Sequence, residues 1–239
     1  MRRVAEQAVT LWPRRDRYWV RIHAPALEAR YQSWRCRVEN PVWWDEPKRG
    51  SGATALQALS LSLARLSIEL YATSQYDMGE PRVDGAADGD LGMPATETYL
   101  DRAPFPFSRS RVNGQARFAV VNDTGWDARL LAEETYAVAG SRRRLRARIY
   151  APRLEADGRT WSCAVSATAP LGMRGRGLGR TGLQALVAGL ALLSHHLYGS
   201  SLYKAGRLGW PPEGRDGRRG DHLLLPAVTE VLDVAPYPF

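Results

Sequence analysis

The sequence predicts a tandem duplication of a small α+β domain, and three observations carry that reading. A shift of 127 aligns residues 17–71 with 144–198 without a gap, at 25 identical positions of 55. In each copy, apolar residues alternate with period two and then recur at 3–4 spacing, so strands precede a helix. The links between the strand patterns are short, as they are between antiparallel neighbours. The repeated unit therefore reads β-β-β-α, a small antiparallel sheet packed against one main helix.

The first strand falls at Val4–Leu11 and again at Leu131–Val138, where Ala5/Ala132 and Glu6/Glu133 agree. The second lies around Val20–Ala24 and Leu145–Ala151, with apolar positions alternating with Arg21, His23, Arg146 and Arg148. A shared A-P-x-L-E-A segment (24–29 and 151–156) links it to the third strand. There Trp34, Cys36 and Val38 alternate with Arg35 and Arg37, and Trp161, Cys163 and Val165 repeat the pattern. Residues two apart share a face, so each Trp and Cys is expected in a core.

The helix is the clearest element. Leu56, Leu59, Leu63, Leu66 and Leu70 form an apolar stripe, repeated by Leu183, Leu186, Leu190, Leu193 and Leu197. Thr54–Gln57 and Thr181–Gln184 spell capping boxes, in which the Thr hydroxyl accepts the N3 amide and the Gln side chain returns to the cap. Beyond the helix the shift becomes 132, aligning 89–107 with 221–239 and ending on PFPF (104–107) and PYPF (236–239). The chain thus divides into a first repeat (1–107), a linker (108–129) and a second repeat (130–239). Within the linker, Arg117–Val121 reads as a strand and Asn122–Gly125 as a turn, expected to add an edge strand to one sheet or to bridge the two.

Composition excludes several classes. With 44% hydrophobic residues, eight Trp and ten Tyr, the chain is globular rather than disordered. The longest apolar run, Leu183–Leu193, is broken by Gln184 and Gly189 and falls short of the roughly 20 residues that span a membrane. The amino-terminal residues hold two arginines and no apolar signal core, so a cytoplasmic location is expected. Two cysteines exclude a disulfide scaffold. The net charge is +8, and only Lys48 and Lys204 are lysines. Residues 111–239 carry nearly all of the excess, a field that would steer an acidic partner.

No catalytic constellation emerges. Cys36 and Cys163 sit at equivalent positions and read as inert buried thiols, each in the core of its own copy. His195 and His196 fall near the end of the second helix, where a cation is favoured, and neither they nor His23 and His222 flank a recognisable nucleophile. Glu28 and Glu155 recur in a connecting turn. No metal-ligand spacing and no cofactor motif is present; the G-x-G-x-x-G at Gly177, Gly179 and Gly182 lacks the strand directly before it and the acidic residue that a dinucleotide site requires. The segment Leu171–Gly182 reads instead as a glycine loop in which Arg174, Arg176 and Arg180 meet an anion at a helix N-terminus. The first copy differs there: Pro41–Glu46 carries Trp43, Trp44 and Asp45, candidate anchors for a partner.

The W-x-C strand, the glycine-containing loop and the capped helix opening Q-A-L resemble small bacterial domains of unknown function. Many small bacterial α+β proteins of this general look are encoded beside secreted toxins as immunity proteins. That analogy implies a protein partner, a toxin neutralised by binding, and a non-enzymatic role. Trp43, Trp44, Asp45, Arg174, Arg176 and Arg180 are the expected contact residues. Nucleic-acid or anion binding by the arginine-rich second repeat is the alternative, with Arg144, Arg146 and Arg148 as its basic row. An uncharacterised enzyme built on the histidines is the third. The two copies are expected to pack as a pseudo-dimer within a monomeric chain.

Overall fold

The computed structural model describes residues 2–83, 91–93, 118–119, 129–210, 223 and 225. The first repeat runs β1 (Arg3–Leu11), β2 (Asp16–His23), β3 (Ala26–Glu28), a 3-10 turn (Ala29–Tyr31), β4 (Ser33–Glu39), β5 (Lys48–Gly52), α1 (Ala55–Tyr71), α2 (Ser74–Asp77) and β6 (Pro81–Arg82). Then come β7 (Phe118–Ala119), β8 (Leu130–Val138), β9 (Arg144–Tyr150), β10 (Arg153–Leu154), β11 (Trp161–Ala167), β12 (Met173–Gly179), α3 (Gly182–Tyr198), α4 (Ser201–Lys204) and β13 (Leu208–Gly209). All strand pairs are antiparallel. Element for element the second repeat follows the first at the shift of 127, down to α2/α4 and β6/β13. The duplicated α+β unit is therefore the architecture of the protein.

Each unit holds one long strand more than the predicted β-β-β-α. In the first, β5 pairs along β4; in the second, β12 pairs along β11 from Trp161↔Gly179 to Ala167↔Met173. The segment read as a glycine loop, Leu171–Gly182, is thus mostly strand. Its glycines are small because the helix lies directly on them. A Cβ added to Gly177 would sit on the backbone nitrogen of Gly189 and 2.6 Å from its Cα, and one added to Gly179 would lie 2.5 Å from the Ala185 nitrogen. The first repeat has the same contact: a Cβ on Gly50 would lie 2.5 Å from the Ser62 nitrogen, and one on Gly52 would lie 2.7 Å from that of Ala58. Helix and edge strand approach so closely that no side chain fits between them.

The predicted helices have the predicted caps. Thr54 and Thr181 are extended N-cap residues whose hydroxyls accept from Gln57 N and Gln184 N at 3.2 and 3.1 Å. The Gln side chains return to Ala53 N and Arg180 N at 3.0 Å. After the helix, the second offset of 132 also reappears in three dimensions. Tyr71 donates its hydroxyl to Met93 O and Tyr198 to Leu225 O, at 3.1 and 3.3 Å. The Pro-aromatic ends lie outside the described residues.

Each helix touches both sheets. α1 packs on β4 and β5 of its own unit and on β8 of the other, and α3 packs on β11, β12 and β1. The buried residues consequently form one continuous apolar cluster across both copies rather than two separate cores. Cys36 and Cys163 are fully buried in it, with Sγ 3.2 Å from His23 O and Tyr150 O respectively. Trp34 and Trp161 match one another but lie only half-buried against this cluster, short of the full burial expected of them. Trp161 stands where the two copies meet, lining a cleft of about 340 Å³ with Arg3 and Ala5 of β1 and with Pro152.

The seam also pairs equivalent polar residues. Thr181 Oγ1 meets Gln7 Oε1 at 3.3 Å, and the Thr54 hydroxyl donates to Glu134, which occupies the position of Gln7. Each N-cap threonine thus reaches the first strand of the other copy, the isologous arrangement expected of an internal dimer. Glu134 is buried to 4% exposure, and burial pushes its carboxyl above the usual range against the opposing pull of Thr54 and the Thr135 amide.

Candidate functional site

Burial first sorts the expected contact residues. Trp43 and Trp44 head the turn between β4 and β5, where both backbone amides donate to Asn40 O at 3.2 and 2.9 Å. Both rings pack half-buried against the core, and Asp45 beside them is exposed. The two indole N–H groups and the Asn40 side-chain amide are buried without a hydrogen-bond partner. The second copy has Pro170, Leu171 and Ala167 at these positions, so this polar cluster belongs to the first repeat alone.

The three arginines of the glycine segment do not converge. On β12 the glycines at 177 and 179 face α3, so Arg174 and Arg176 face the opposite side of the sheet. Arg174 and Arg180 are exposed, whereas Arg176 is mostly covered and lies 3.6 Å from Glu155. That carboxylate also takes Arg153 at 3.4 Å and the Ser162 hydroxyl, and the Ser162 bond outweighs burial to hold its pKa below the ordinary value. An anion cradle built from glycine amides is excluded here, because those amides belong to a strand packed under a helix.

The equivalent ion pairing in the first repeat is rearranged. Glu28, the counterpart of Glu155, binds Arg35 at 2.6 Å, and Arg35 also stacks on Tyr31. Ser162 replaces that arginine in the second copy, which leaves Glu155 open to Arg176. Arg49, the counterpart of Arg176, stands exposed on β5 opposite Arg37, and among the described residues neither it nor the half-buried Lys48 has an ion pair. Arg148 pairs with Glu133 as its counterpart Arg21 pairs with Glu6, while Arg144 and Arg146 are exposed on the solvent face of β9. His195 and His196 lie in the last turn of α3 as expected, and burial followed by the charge of His195 pushes His196 down. Among the described residues no group of three His, Cys, Asp or Glu could hold a metal ion. His222 lies outside the described residues. No helix among them is long and apolar enough to cross a membrane.

A larger asymmetry separates the two outer edges. β7, from the linker, pairs with the outer side of β12, Phe118 opposite Gly177 and Ala119 opposite Arg176, and it packs on α3. This is the edge strand expected from Arg117–Val121. On α3, which it contacts, Ala188 and Leu192 are buried. Among the described residues no strand pairs with the outer side of β5. On α1, Leu61 and Arg65, the counterparts of Ala188 and Leu192, are exposed, Leu61 to 37% and the neighbouring Ile68 to 42%. The linker that creates the difference has no counterpart in the first repeat, so the sequence held the clue. Reading it required knowing that β12 was a strand with an edge to cover.

Comparisons with curated proteins and with solved structures gave no match. A family model described as a domain of unknown function (DUF6968) matches twice, over residues 8–95 and 132–220. Both matches coincide with the sheet-and-helix units described above, so the chain belongs to the DUF6968 family and carries two copies of its domain.

Proposed function

We propose that the protein is a non-enzymatic, protein-binding module that receives an acidic partner on its first repeat, in the manner of an immunity-type inhibitor that occludes a toxin. One observation carries the reading: Leu61 and Ile68 are exposed beside Arg65 on α1, which packs on the edge strand bearing Lys48 and Arg49, whereas the counterparts of Leu61 and Arg65 on α3 are buried. Exposed apolar side chains close to cations that have no ion pair among the described residues suit a partner that brings both apolar and acidic groups. Trp43, Trp44 and Asp45 lie in the turn that leads into β5. The test is co-purification of a stoichiometric complex with the full-length chain, compared with a Leu61→Asp/Ile68→Asp variant of unchanged melting temperature. Loss of the complex in the variant supports the reading; a partner held equally by both chains refutes it.

The alternative is anion binding on the opposite face of the second sheet. Arg148 and Arg174 both stand opposite Ser166 on β11, with Arg144 and Arg146 along the same side of β9. Such binding would weaken steeply with salt and would ignore substitutions on α1.

A further inference from the structure

We infer that the outer edge of β5, unpaired among the described residues, is a docking site for an extended segment of the partner, which adds a strand to the first sheet and presents an apolar residue followed by two carboxylates. The inference rests on the proposed protein-binding role and specifies how the partner is held. The protein itself supplies the template, because the equivalent edge of the second repeat is occupied by β7. Edge strands present unpaired backbone donors and acceptors, and strand addition satisfies them.

The register dictates the chemistry. An antiparallel strand entering as β7 does would place successive residues opposite Gly50, Arg49 and Lys48, as Phe118 and Ala119 stand opposite Gly177 and Arg176. Directly opposed residues share a face of the sheet. The residue opposite Gly50 lies on the helix side, where Gly50 has no side chain and the exposed Leu61 is one turn from Ala58 and next to Ser62, the two residues that abut that glycine. An apolar side chain fits there. The next residue faces the solvent side with Arg49, which lacks the carboxylate that its counterpart Arg176 has in Glu155. The one after returns to the helix side with Lys48, and Arg65 is exposed on the adjoining helix. Carboxylates at both positions would neutralise cations that have no ion pair among the described residues.

The probe is a labelled ten-residue peptide copying residues 114–123 with Ala119→Glu and Val120→Glu, titrated into the full-length chain by fluorescence anisotropy. Saturable binding that weakens at least tenfold in Arg49→Glu, and is regained by the same peptide carrying Ala119→Lys, supports the inference. Backbone amide shifts in NMR should cluster at residues 48–52. No binding, or binding indifferent to Arg49→Glu, overturns it. Protection, in the free chain, of those β5 amide hydrogens that point away from β4 would assign the edge to another part of the protein, and a dimer abolished by Arg49→Glu would assign it to a second copy; either overturns it too. If the Leu61/Ile68-dependent complex forms while the peptide fails, the strand-addition mode falls and the protein-binding role stands.

Discussion

Replacing Gly177 by alanine adds a single methyl group at the tightest helix–strand crossing in the described structure. The new Cβ would press deep inside the contact distance of the Gly189 nitrogen and lie 2.6 Å from its Cα, whereas ordinary contact begins at 3.4 Å. Both obstacles are backbone, so no rotamer change relieves the clash and α3 must lift from β12. A gap of even 0.5–1 Å forfeits about a quarter to a half of each dispersion contact along the lifted face. Overpacking of this kind costs about 1–3 kcal/mol where side chains can adjust. With backbone against backbone, about 3 kcal/mol is expected, which in a chain of this size lowers the melting temperature by about 6–12 °C. Thermal unfolding followed by circular dichroism measures it. Gly209→Ala is the control: nothing lies within 4 Å of its added Cβ, and its change should stay within about 0.5 kcal/mol. A Gly177→Ala protein that melts with the parent would refute the close-approach explanation of the shared R-G-x-G and return the segment to an exposed loop.

Further outcomes follow from the seam and the core. Thr181→Ala should cost about 1 kcal/mol as a lost cap, and Thr54→Ala more, because it also strips a bond from the buried Glu134; denaturant midpoints compare the two. Because the folded pKa of Glu134 is raised, the native state binds its proton more tightly, and stability falls as pH rises from about 4, the unfolded carboxyl value, through the folded pKa. Glu134→Gln should therefore stabilise the protein at neutral pH, and this advantage should shrink toward pH 4 in parallel melting curves. Burial pushes the Cys36 thiol up to about 12 and Cys163 higher still, so neither should react with Ellman's reagent until the chain unfolds. Trp43→Ala should destabilise by about 2 kcal/mol, a half-buried ring giving less than the about 3–5 kcal/mol of a fully buried one, and a melting temperature equal to the parent's would show that the ring is not packed.

The duplication, the leucine stripes and the capping boxes were legible in the sequence because each depends on residues close together in the chain. Period, spacing and the Thr-x-x-Gln box are local signals, and an internal copy doubles their weight. The fourth long strand escaped the same reading. Gly50, Gly52, Gly177 and Gly179 look like loop residues by composition, and only the helix lying across them explains why they are glycine. The shared R-G-x-G with period two was the available signal.

Other features belong to the tertiary structure alone. Trp161 lies where the two copies meet, against Arg3 and Ala5 of β1, a placement that no strand pattern encodes. Pairing of Thr54 with Glu134 and of Thr181 with Gln7 joins residues 80 and 174 positions apart. Likewise the exposure of Arg49 is set by whether Glu28 is taken by Arg35, and that of β5 by where the linker strand settles. Sequence determines which segments can be strands or helices, because backbone preference and amphipathic period are local; which edges, ions and faces are left uncovered is decided only when distant segments compete for the same neighbours.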